Sequence, residues 1–316
     1  MTLTLPIGRA TREAYGDALL ELGRANRDIV AIDADLAKST YSWTFGKHFP
    51  ERFFNIGIQE ANMVGMASGL ASSGKIPFIS SFAAFALCKG FDQLRMGAAY
   101  PRLNVKVAGS HGGISIGEDG VSQMSVEDVA LACALAGFVV CVPADEHSMT
   151  AAVHAAARHD GPVYLRLGRP KAPIVHQPGV SLELGRAIRL RDGDALTIVA
   201  NGLLVAQALI AAHRLASRGI EARVLDVHTI KPIDRDALER ASVETGALVV
   251  AEEHLHHGGL GSAVALALAE TVPAPMEFVD LGDRYAESGK PEHLLEKYGM
   301  TAENIVFAAD RVLKRK

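Results

Sequence analysis

The clearest structural pattern in the sequence lies in residues 76–108, which read IPFISSFAAFALCKGFDQLRMGAAYPRLNVKVA. The segment begins with the short apolar run Ile76–Ile79 and ends with Val105–Ala108, and such runs are typical of buried strands. Between them, Ala83–Tyr100 has the apolar spacing of a helix. A strand, a helix and a strand in this order predict a right-handed βαβ unit, whose strands belong to one parallel sheet.

The same alternation continues on both sides of this unit. Up to residue 167 the pattern predicts helices at Arg9–Ala25, Gln59–Ser72, Val126–Ala136 and Ser148–Arg158, and strands at Ile29–Ile32, Phe138–Val142 and Val163–Leu167. From residue 196 it predicts strands at Leu196–Ala200, Ala222–Asp226, Leu248–Ala251 and Met276–Val279, and helices at Leu203–Ser217, Asp234–Ser242, Ser262–Ala269, Pro291–Tyr298 and Ala302–Leu313. Strands that alternate with helices predict the α/β class with parallel sheets.

A proline-rich stretch divides the chain. Arg169–Gly179 contains Pro170, Pro173 and Pro178 and has little periodicity, and proline cannot donate a hydrogen bond to a sheet. We therefore predict two parallel-sheet-based α/β domains, residues 1–170 and 191–316, joined by a linker at residues 171–190.

The composition excludes several classes of protein. The 316 residues are 49% hydrophobic and 22% charged, which is the balance of a folded globular protein and not of a disordered chain. The net charge of −4, with acidic and basic residues interspersed, argues against a nucleic-acid-binding surface. We find no membrane-spanning stretch and no secretory signal. Three cysteines in apolar contexts, without a CxxC pair, favour buried thiols in a reducing cytoplasm.

Three polar clusters occur where a predicted strand ends or a predicted helix begins. They are Asp33–Ser39, Asn55–Met63 and Ser110–Gly120. Each has an ordinary explanation: helix caps for the first, a first-turn acid for Glu60, and plain turns for the glycines of the third. Because ligands of open α/β sheets bind at the carboxyl ends of strands, three such clusters in one domain favour a site.

A histidine-rich segment, His254–His257, precedes a glycine-rich turn. No group of cysteines or second group of histidines accompanies it, so we favour a structural turn and predict no metal ligands in this chain.

The second cluster carries a resemblance to a known family. Asn55–Met63, followed by Gly65–Ala71, resembles the segment of transketolases that contains their catalytic glutamate. The resemblance extends in order over nearly the whole chain, through Ala10–Arg12, Ala34–Ser39, Phe82–Phe85, His111, Gly117–Gly120, Glu252–Ser262 and Glu287–Glu292. It implies a thiamine-diphosphate pyrimidine-binding domain followed by a transketolase C-terminal domain.

The family's Gly-Asp-Gly motif and downstream Asn, which hold Mg²⁺ and the diphosphate of thiamine diphosphate, have no counterpart in this sequence. The chain is also about half the usual family length. The resemblance therefore implies the second subunit of a split transketolase, active only with a partner chain that carries the Mg²⁺ ligands, with two copies of each chain. Such an enzyme transfers a two-carbon ketol unit from a ketose donor, here expected to be phosphorylated, to an aldose.

The resemblance also implies roles for individual residues. Glu60 is implied as the catalytic acid that holds the cofactor aminopyrimidine, with His111 as a second catalytic residue. The implied cofactor contacts are Asp35, Glu60, Phe82 and Phe85. The implied substrate contacts are Arg12, Ser39, His111, Asp119, Gln123 and Arg169, of which Arg12, Ser39, His111 and Arg169 match the family's phosphate grip. Arginine suits such a grip because its guanidinium makes bidentate, charge-assisted contacts.

Three positions depart from the family pattern. Gly112 stands where the family usually has Asp, Gln123 where it usually has His, and Cys88 where it often has a third aromatic residue. Two alternatives stay open: the beta subunit of another split thiamine-diphosphate enzyme, such as a 2-oxo acid dehydrogenase or a deoxyxylulose-phosphate-synthase-like protein, and a non-catalytic regulatory subunit.

Overall fold

The computed structural model describes residues 3–316, which form two α/β units. The strands of the first unit are β1 (Ile7–Ala10), β2 (Ile29–Asp33), β3 (Phe53–Asn55), β4 (Ile76–Phe82), β5 (Lys106–Ser110), β6 (Val139–Cys141), β7 (Val163–Arg166) and β8 (Lys171–Pro173). Its helices are α1 (Thr11–Ala25), α2 (Ala37–Thr40), α3 (Trp43–His48), α4 (Glu60–Ser72), α5 (Ala83–Leu94), α6 (Asp128–Ala134) and α7 (Glu146–Arg158).

The second unit follows the same plan. Its strands are β9 (Ile188–Arg191), β10 (Leu196–Ala200), β11 (Ala222–Asp226), β12 (Thr229–Lys231), β13 (Leu248–Ala251) and β14 (Met276–Val279). Its helices are α8 (Leu204–Ala216), α9 (Arg235–Thr245), α10 (Leu260–Ala269), α11 (Pro291–Lys297) and α12 (Ala302–Leu313). None of the helices in residues 3–316 is both long and apolar enough to cross a membrane.

The two main sheets are built around parallel strands, which confirms the predicted fold class. The larger sheet has seven strands in the order β12-β6-β7-β5-β4-β2-β3, and every pair is parallel except β12 with β6. The smaller has five, in the order β14-β13-β10-β11-β9, with only β9 antiparallel.

Helices cover the larger sheet on both faces. Successive residues of β4 point to opposite faces, so Phe78 packs in a cluster with Tyr15 of α1, while Ile79 packs in another with Met63 of α4. The cluster around Ile79 continues into the second unit and includes Val250 of β13 and Val264 of α10. The two units therefore share an apolar core.

The central βαβ unit is confirmed, although β4 is three residues longer than the apolar pattern predicts. Two of the added residues, Ser80 and Ser81, are polar but find partners: Ser80 hydrogen-bonds the Tyr15 hydroxyl at 2.7 Å, and the Ser81 hydroxyl donates to Glu60 at 3.1 Å. A strand that satisfies its polar side chains in this way cannot be recognised from hydrophobicity alone.

The predicted linker, residues 171–190, is not free of secondary structure. It contains β8, which pairs with β1 in a separate two-stranded sheet, and the first residues of β9. Prolines are compatible with β8 because this strand has only one neighbour. Another difference is β12, which the sequence did not indicate: it lies in the second half of the chain but joins the larger sheet beside β6.

A buried ion pair of the first unit lies at its junction with the second. Arg166, at the end of β7, donates from Nε and Nη2 to both carboxylate oxygens of Asp128, at 2.7 and 3.0 Å. Its Nη1 donates to the backbone oxygen of Glu253, in the second unit, at 3.0 Å. Burial acts to raise the pKa of Asp128, but the charge and hydrogen bonds of Arg166 outweigh it and lower that pKa below its ordinary value.

Removing one member of this pair should be costly. We expect Asp128→Ala to lower the free energy of unfolding by about 3–5 kcal/mol at neutral pH, because Arg166 is left buried without its counter-ion. Urea denaturation followed by circular dichroism measures the loss. Because the folded-state pKa of Asp128 is lowered, its contribution to the free energy of unfolding is present at neutral pH and is lost as the pH falls through that pKa.

The control is Asp236→Ala, which removes an exposed partner of Arg186 and should change stability by less than about 1 kcal/mol. Equal losses in both variants would contradict the assignment.

Candidate active site

The three polar clusters meet at the carboxyl ends of neighbouring strands. The first follows β2, the third follows β5, and β4 lies between these two strands. The second cluster follows β3, which is the other neighbour of β2, and leads into α4. This edge of a parallel sheet is where α/β proteins bind ligands.

Glu60 is the first residue of α4 and is only 3% exposed. The hydroxyl of Ser81 donates a hydrogen bond to its Oε1 at 3.1 Å. The nearest charged group to its other oxygen, Oε2, is the ammonium of Lys89, 3.8 Å away. The carboxyl group is therefore fixed through one oxygen, while the other accepts no hydrogen bond from residues 3–316.

Two phenylalanines follow Ser81, the residue that binds this acid. Phe82 is the last residue of β4, and Phe85 belongs to α5. Their rings stack, with centroids 5.6 Å apart and an interplanar angle of 21°. The other predicted aromatic position, Cys88, is exposed and contributes no ring.

His111 is buried directly after β5, and its backbone adopts a left-handed conformation with φ of 63°. Its ring stacks on Phe82 with centroids 3.8 Å apart. Nδ1 lies 2.6 Å from the Ser110 hydroxyl, and Nε2 lies 3.4 Å from Nη1 of Arg12. Because arginine can only donate, Nε2 is the acceptor and the proton is on Nδ1.

The electrostatic environment keeps this histidine neutral. Burial, and then the charges of Arg12 and Arg169, lower the pKa of His111 to about 3. At neutral pH the imidazole therefore contributes hydrogen bonds and a stacking surface without a positive charge.

Two arginines supply positive charge at this site. Arg12 of α1 donates from Nη1 to the backbone oxygen of Ser39 at 2.8 Å, and its buried Nε has no hydrogen-bond partner. Arg169 donates from Nη1 to the backbone oxygen of Ile116 at 2.6 Å and to Glu118 Oε2 at 3.0 Å. The structure thus brings Arg12, His111 and Arg169 together, while Ser39 meets Arg12 through its backbone and not through its hydroxyl.

The remaining predicted residues lie at the margin of this group. Asp35 is exposed, with φ of 66°, and exchanges two hydrogen bonds with Asn55, at 3.1 and 3.2 Å. Asp119 is exposed, and Gln123 is half-buried. Within residues 3–316, neither of the last two makes a side-chain hydrogen bond to the other site residues.

The structure explains one departure from the family pattern. A Cβ atom at Gly112 would lie 2.5 Å from Nε and 2.8 Å from Cγ of Arg166. Arg166 therefore occupies the space that an aspartate at position 112 would need, and only glycine fits there.

Sequence reasoning assigned no role to several residues that support the site. Ser81 orients Glu60, and Lys89 lies beside it. Asp33, at the end of β2, accepts hydrogen bonds from Thr40 and Ser42, both at 2.8 Å, and its burial raises its pKa to about 6. Ser81 and Asp33 could have been identified from the sequence, because both lie at the carboxyl ends of parallel strands.

The site fits an aminopyrimidine ring better than a metal ion. A buried carboxyl group with one oxygen free of hydrogen bonds, and a stacked aromatic pair that the same Lys89 ammonium reaches, provide an acid and an apolar surface for such a ring. In contrast, no group of three or more His, Cys, Asp or Glu side chains within residues 3–316 is arranged to hold a metal ion.

Comparisons with known proteins agree with this reading of the geometry. Residues 8–174 match the model of the transketolase pyrimidine-binding domain, and residues 185–305 match that of the transketolase C-terminal domain. The chain is 44% identical to the 6-deoxy-6-sulfo-D-fructose transketolase subunit of Clostridium sp. (strain MSTE9), over 96% of this chain and 95% of that subunit. It is 36% identical to one of the subunits of the apulose-4-phosphate transketolase of Phocaeicola vulgatus, over 97% and 98% of the two chains.

Two further comparisons relate the chain to complete and split enzymes. Human transketolase is 38% identical over 95% of this chain, but the match covers only 48% of the human protein. A solved structure described as a split-gene transketolase, an inactive β4 tetramer, superimposes with a TM-score of 0.92 at 50% identity and covers 97% of this chain and 99% of that one. The chain therefore belongs to the transketolase family, in which it corresponds to the subunit that carries the pyrimidine-binding and C-terminal domains.

Proposed function

We propose that this chain supplies Glu60 to a two-chain transketolase that moves a two-carbon ketol unit from a ketose to an aldose. The observation that carries the proposal is the Glu60 carboxyl group: it is buried, it is held through Oε1 by Ser81, and its Oε2 accepts no hydrogen bond within residues 3–316. The Lys89 ammonium that contacts Oε2 also contacts the ring of Phe85, so an aromatic ring lies near the acid. A surface acid that only complements a helix dipole needs neither this burial nor this support.

Glu60 has one task in this mechanism. When bound, thiamine diphosphate supplies the nucleophilic carbon and the electron sink for cleaving and forming the carbon–carbon bond. Glu60 holds a proton at the pyrimidine ring nitrogen, and Ser81 fixes the direction in which Oε2 points. The rings of Phe82 and Phe85 provide the apolar surface on which the pyrimidine stacks.

The two arginines and His111 have the chemistry of a grip for an anion. Arg12 and Arg169 offer charge-assisted hydrogen bonds, and neutral His111 adds no further charge. The two similar split subunits are named for a sulfo-ketose and for a phospho-ketose, and both compounds carry an anionic group. We infer that the donor is a ketose with a terminal phosphate or sulfonate, and that Asp119 and Gln123 contact its polar part.

The proposed enzyme needs a partner chain. The chain aligns with about half of human transketolase, and the similar split-gene structure is described as inactive. We propose that the partner is an N-terminal transketolase subunit that holds Mg²⁺ and the diphosphate, and that two copies of each chain assemble.

The requirement for a partner leads to the first functional prediction. We expect the purified chain to have no ketol-transfer activity and to bind thiamine diphosphate weakly, because the Mg²⁺ and diphosphate ligands are on the other chain. Titrating the chain with an N-terminal subunit should restore activity that saturates at a 1:1 ratio. Calorimetry that detects tight, Mg²⁺-dependent cofactor binding by the chain alone would contradict the proposal.

The role of Glu60 can be tested before any sugar binds. We expect Glu60→Gln to assemble with the partner and to slow turnover by at least about 10²-fold, the size of a general acid–base contribution. Hydrogen–deuterium exchange at the thiazolium carbon of the bound cofactor, measured by quenched-flow NMR, should slow in parallel. The matched control is Glu51→Gln, which changes an exposed glutamate. Wild-type exchange in the Glu60 variant would refute the catalytic role.

The anion grip predicts a difference between donors. Arg12→Ala and Arg169→Ala each remove a charged hydrogen-bond donor, so we expect kcat/KM for a phosphorylated or sulfonated ketose to fall by about 10- to 150-fold. Hydroxypyruvate, which lacks a terminal phosphate or sulfonate, should be affected much less. Arg95→Ala, at an exposed arginine, is the control. Equal losses on both kinds of donor would assign these arginines to structure and not to the anion.

A further inference from the structure

The side chain of Lys89 extends from α5 to the acid of the site. Its Nζ lies 3.8 Å from Oε2 of Glu60 and 4.1 Å from the centre of the Phe85 ring. Glu60 is buried at this contact, whereas 51% of the Lys89 side chain is exposed. One ammonium group therefore contacts both the open carboxylate oxygen and the adjacent aromatic ring.

These two contacts are the ones that the proposed function assigns to the cofactor. The pyrimidine ring nitrogen needs Oε2, and the ring needs an aromatic surface such as Phe85. The ammonium lies 3.8 Å from Oε2 and 4.1 Å from the centre of the Phe85 ring, so a pyrimidine ring that bonds Oε2 and stacks on Phe85 would need the space that the ammonium occupies. Lys89 can move away because its flexible four-carbon stem reaches solvent.

A simpler explanation exists for part of this geometry. Lys89 and Phe85 are four residues apart on one helix, and side chains with this spacing are neighbours on any helix surface. That spacing does not account for Glu60, which lies on a different helix, α4, and is the only acid within salt-bridge distance of Lys89 in the described chain.

We propose that the Lys89 ammonium occupies the pyrimidine subsite of the cofactor-free chain and leaves Glu60 when thiamine diphosphate binds. The inference rests on the proposed function, because it takes the Glu60 site as the pyrimidine subsite. The ammonium stabilises the buried carboxylate until the ring arrives, and it thereby competes with the cofactor. The apparent affinity for the cofactor is lowered by the fraction of molecules in which the contact is made.

The first test follows the lysine itself and needs no variant. The assembled two-chain complex is treated with a water-soluble acetylating ester, with and without thiamine diphosphate and Mg²⁺, and acetylation at each lysine is measured by mass spectrometry. We expect the cofactor to increase the rate at Lys89 by about 2- to 5-fold, the range for a partly exposed ion pair. Lys75, which pairs with Asp28 on the surface, should not change. An unchanged or slower rate at Lys89 would overturn the proposal.

The second test measures cofactor affinity in a double-mutant cycle. Lys89→Met keeps the apolar stem and removes the charge, so we expect the complex to bind thiamine diphosphate about 2- to 5-fold more tightly. Lys89→Arg, which keeps the charge, and Lys75→Met, which removes a charge elsewhere, should bind like the wild type. In the Glu60→Gln background, Lys89→Met should have no effect, because the ion pair is already absent.

The outcomes separate this inference from the function on which it rests. Weaker or unchanged binding by Lys89→Met, or an equal gain in the Glu60→Gln background, would show that Lys89 does not act through Glu60. If thiazolium exchange remains slow in Glu60→Gln while Lys89 fails these tests, only the proposed role of Lys89 is wrong. If exchange is normal in Glu60→Gln, the proposed function itself is wrong.

Discussion

The loop after His111, which binds Arg169, depends on the ion pair between Arg166 and Asp128. Arg166 ends β7, and the same guanidinium that binds Asp128 also donates to the backbone oxygens of Ser125 and Glu253. Ser125 closes the loop that begins after His111, so this one side chain fixes that loop to the sheet and to the second unit. The second unit contributes Glu253, whose carboxylate accepts from the backbone nitrogen of Ser115 within the loop.

The positive charge of the site is carried by its two arginines. His111 is buried beside them and is neutral, so the proposed anion-binding group of Arg12, His111 and Arg169 takes its charge from the two arginines. Arg169 is balanced by exposed Glu118, whereas the contacts of Arg12 within residues 3–316 are a backbone oxygen, the edge of His111 and the ring of Tyr41. Some N–H groups of this guanidinium are therefore left without a hydrogen-bond acceptor. Such groups can bind an anion.

The sequence was sufficient for the fold class and for the residues that meet at the strand ends, because both depend on local patterns. Hydrophobic alternation predicted the parallel sheets, and the polar cluster around Glu60 lay at the correct edge. The sequence did not indicate β12, whose partner β6 lies about ninety residues earlier in the chain, because its three residues have no distinctive pattern. Ser81 and Lys89 were missed for a related reason: each acquires its role through contact with Glu60 on another element.

The three departures from the family pattern have different physical meanings. Gly112 is required by Arg166, so it belongs to the junction between the units and not to substrate choice. Cys88 is exposed, and the next residue, Lys89, is the one that reaches the aromatic ring. Gln123 differs from both, because it is half-buried in the loop after His111 and its side chain is not committed to a hydrogen bond within the described chain. An amide there can donate and accept hydrogen bonds but cannot carry a proton between groups, so the donor contact proposed above for Gln123 would be a hydrogen bond and not a proton transfer.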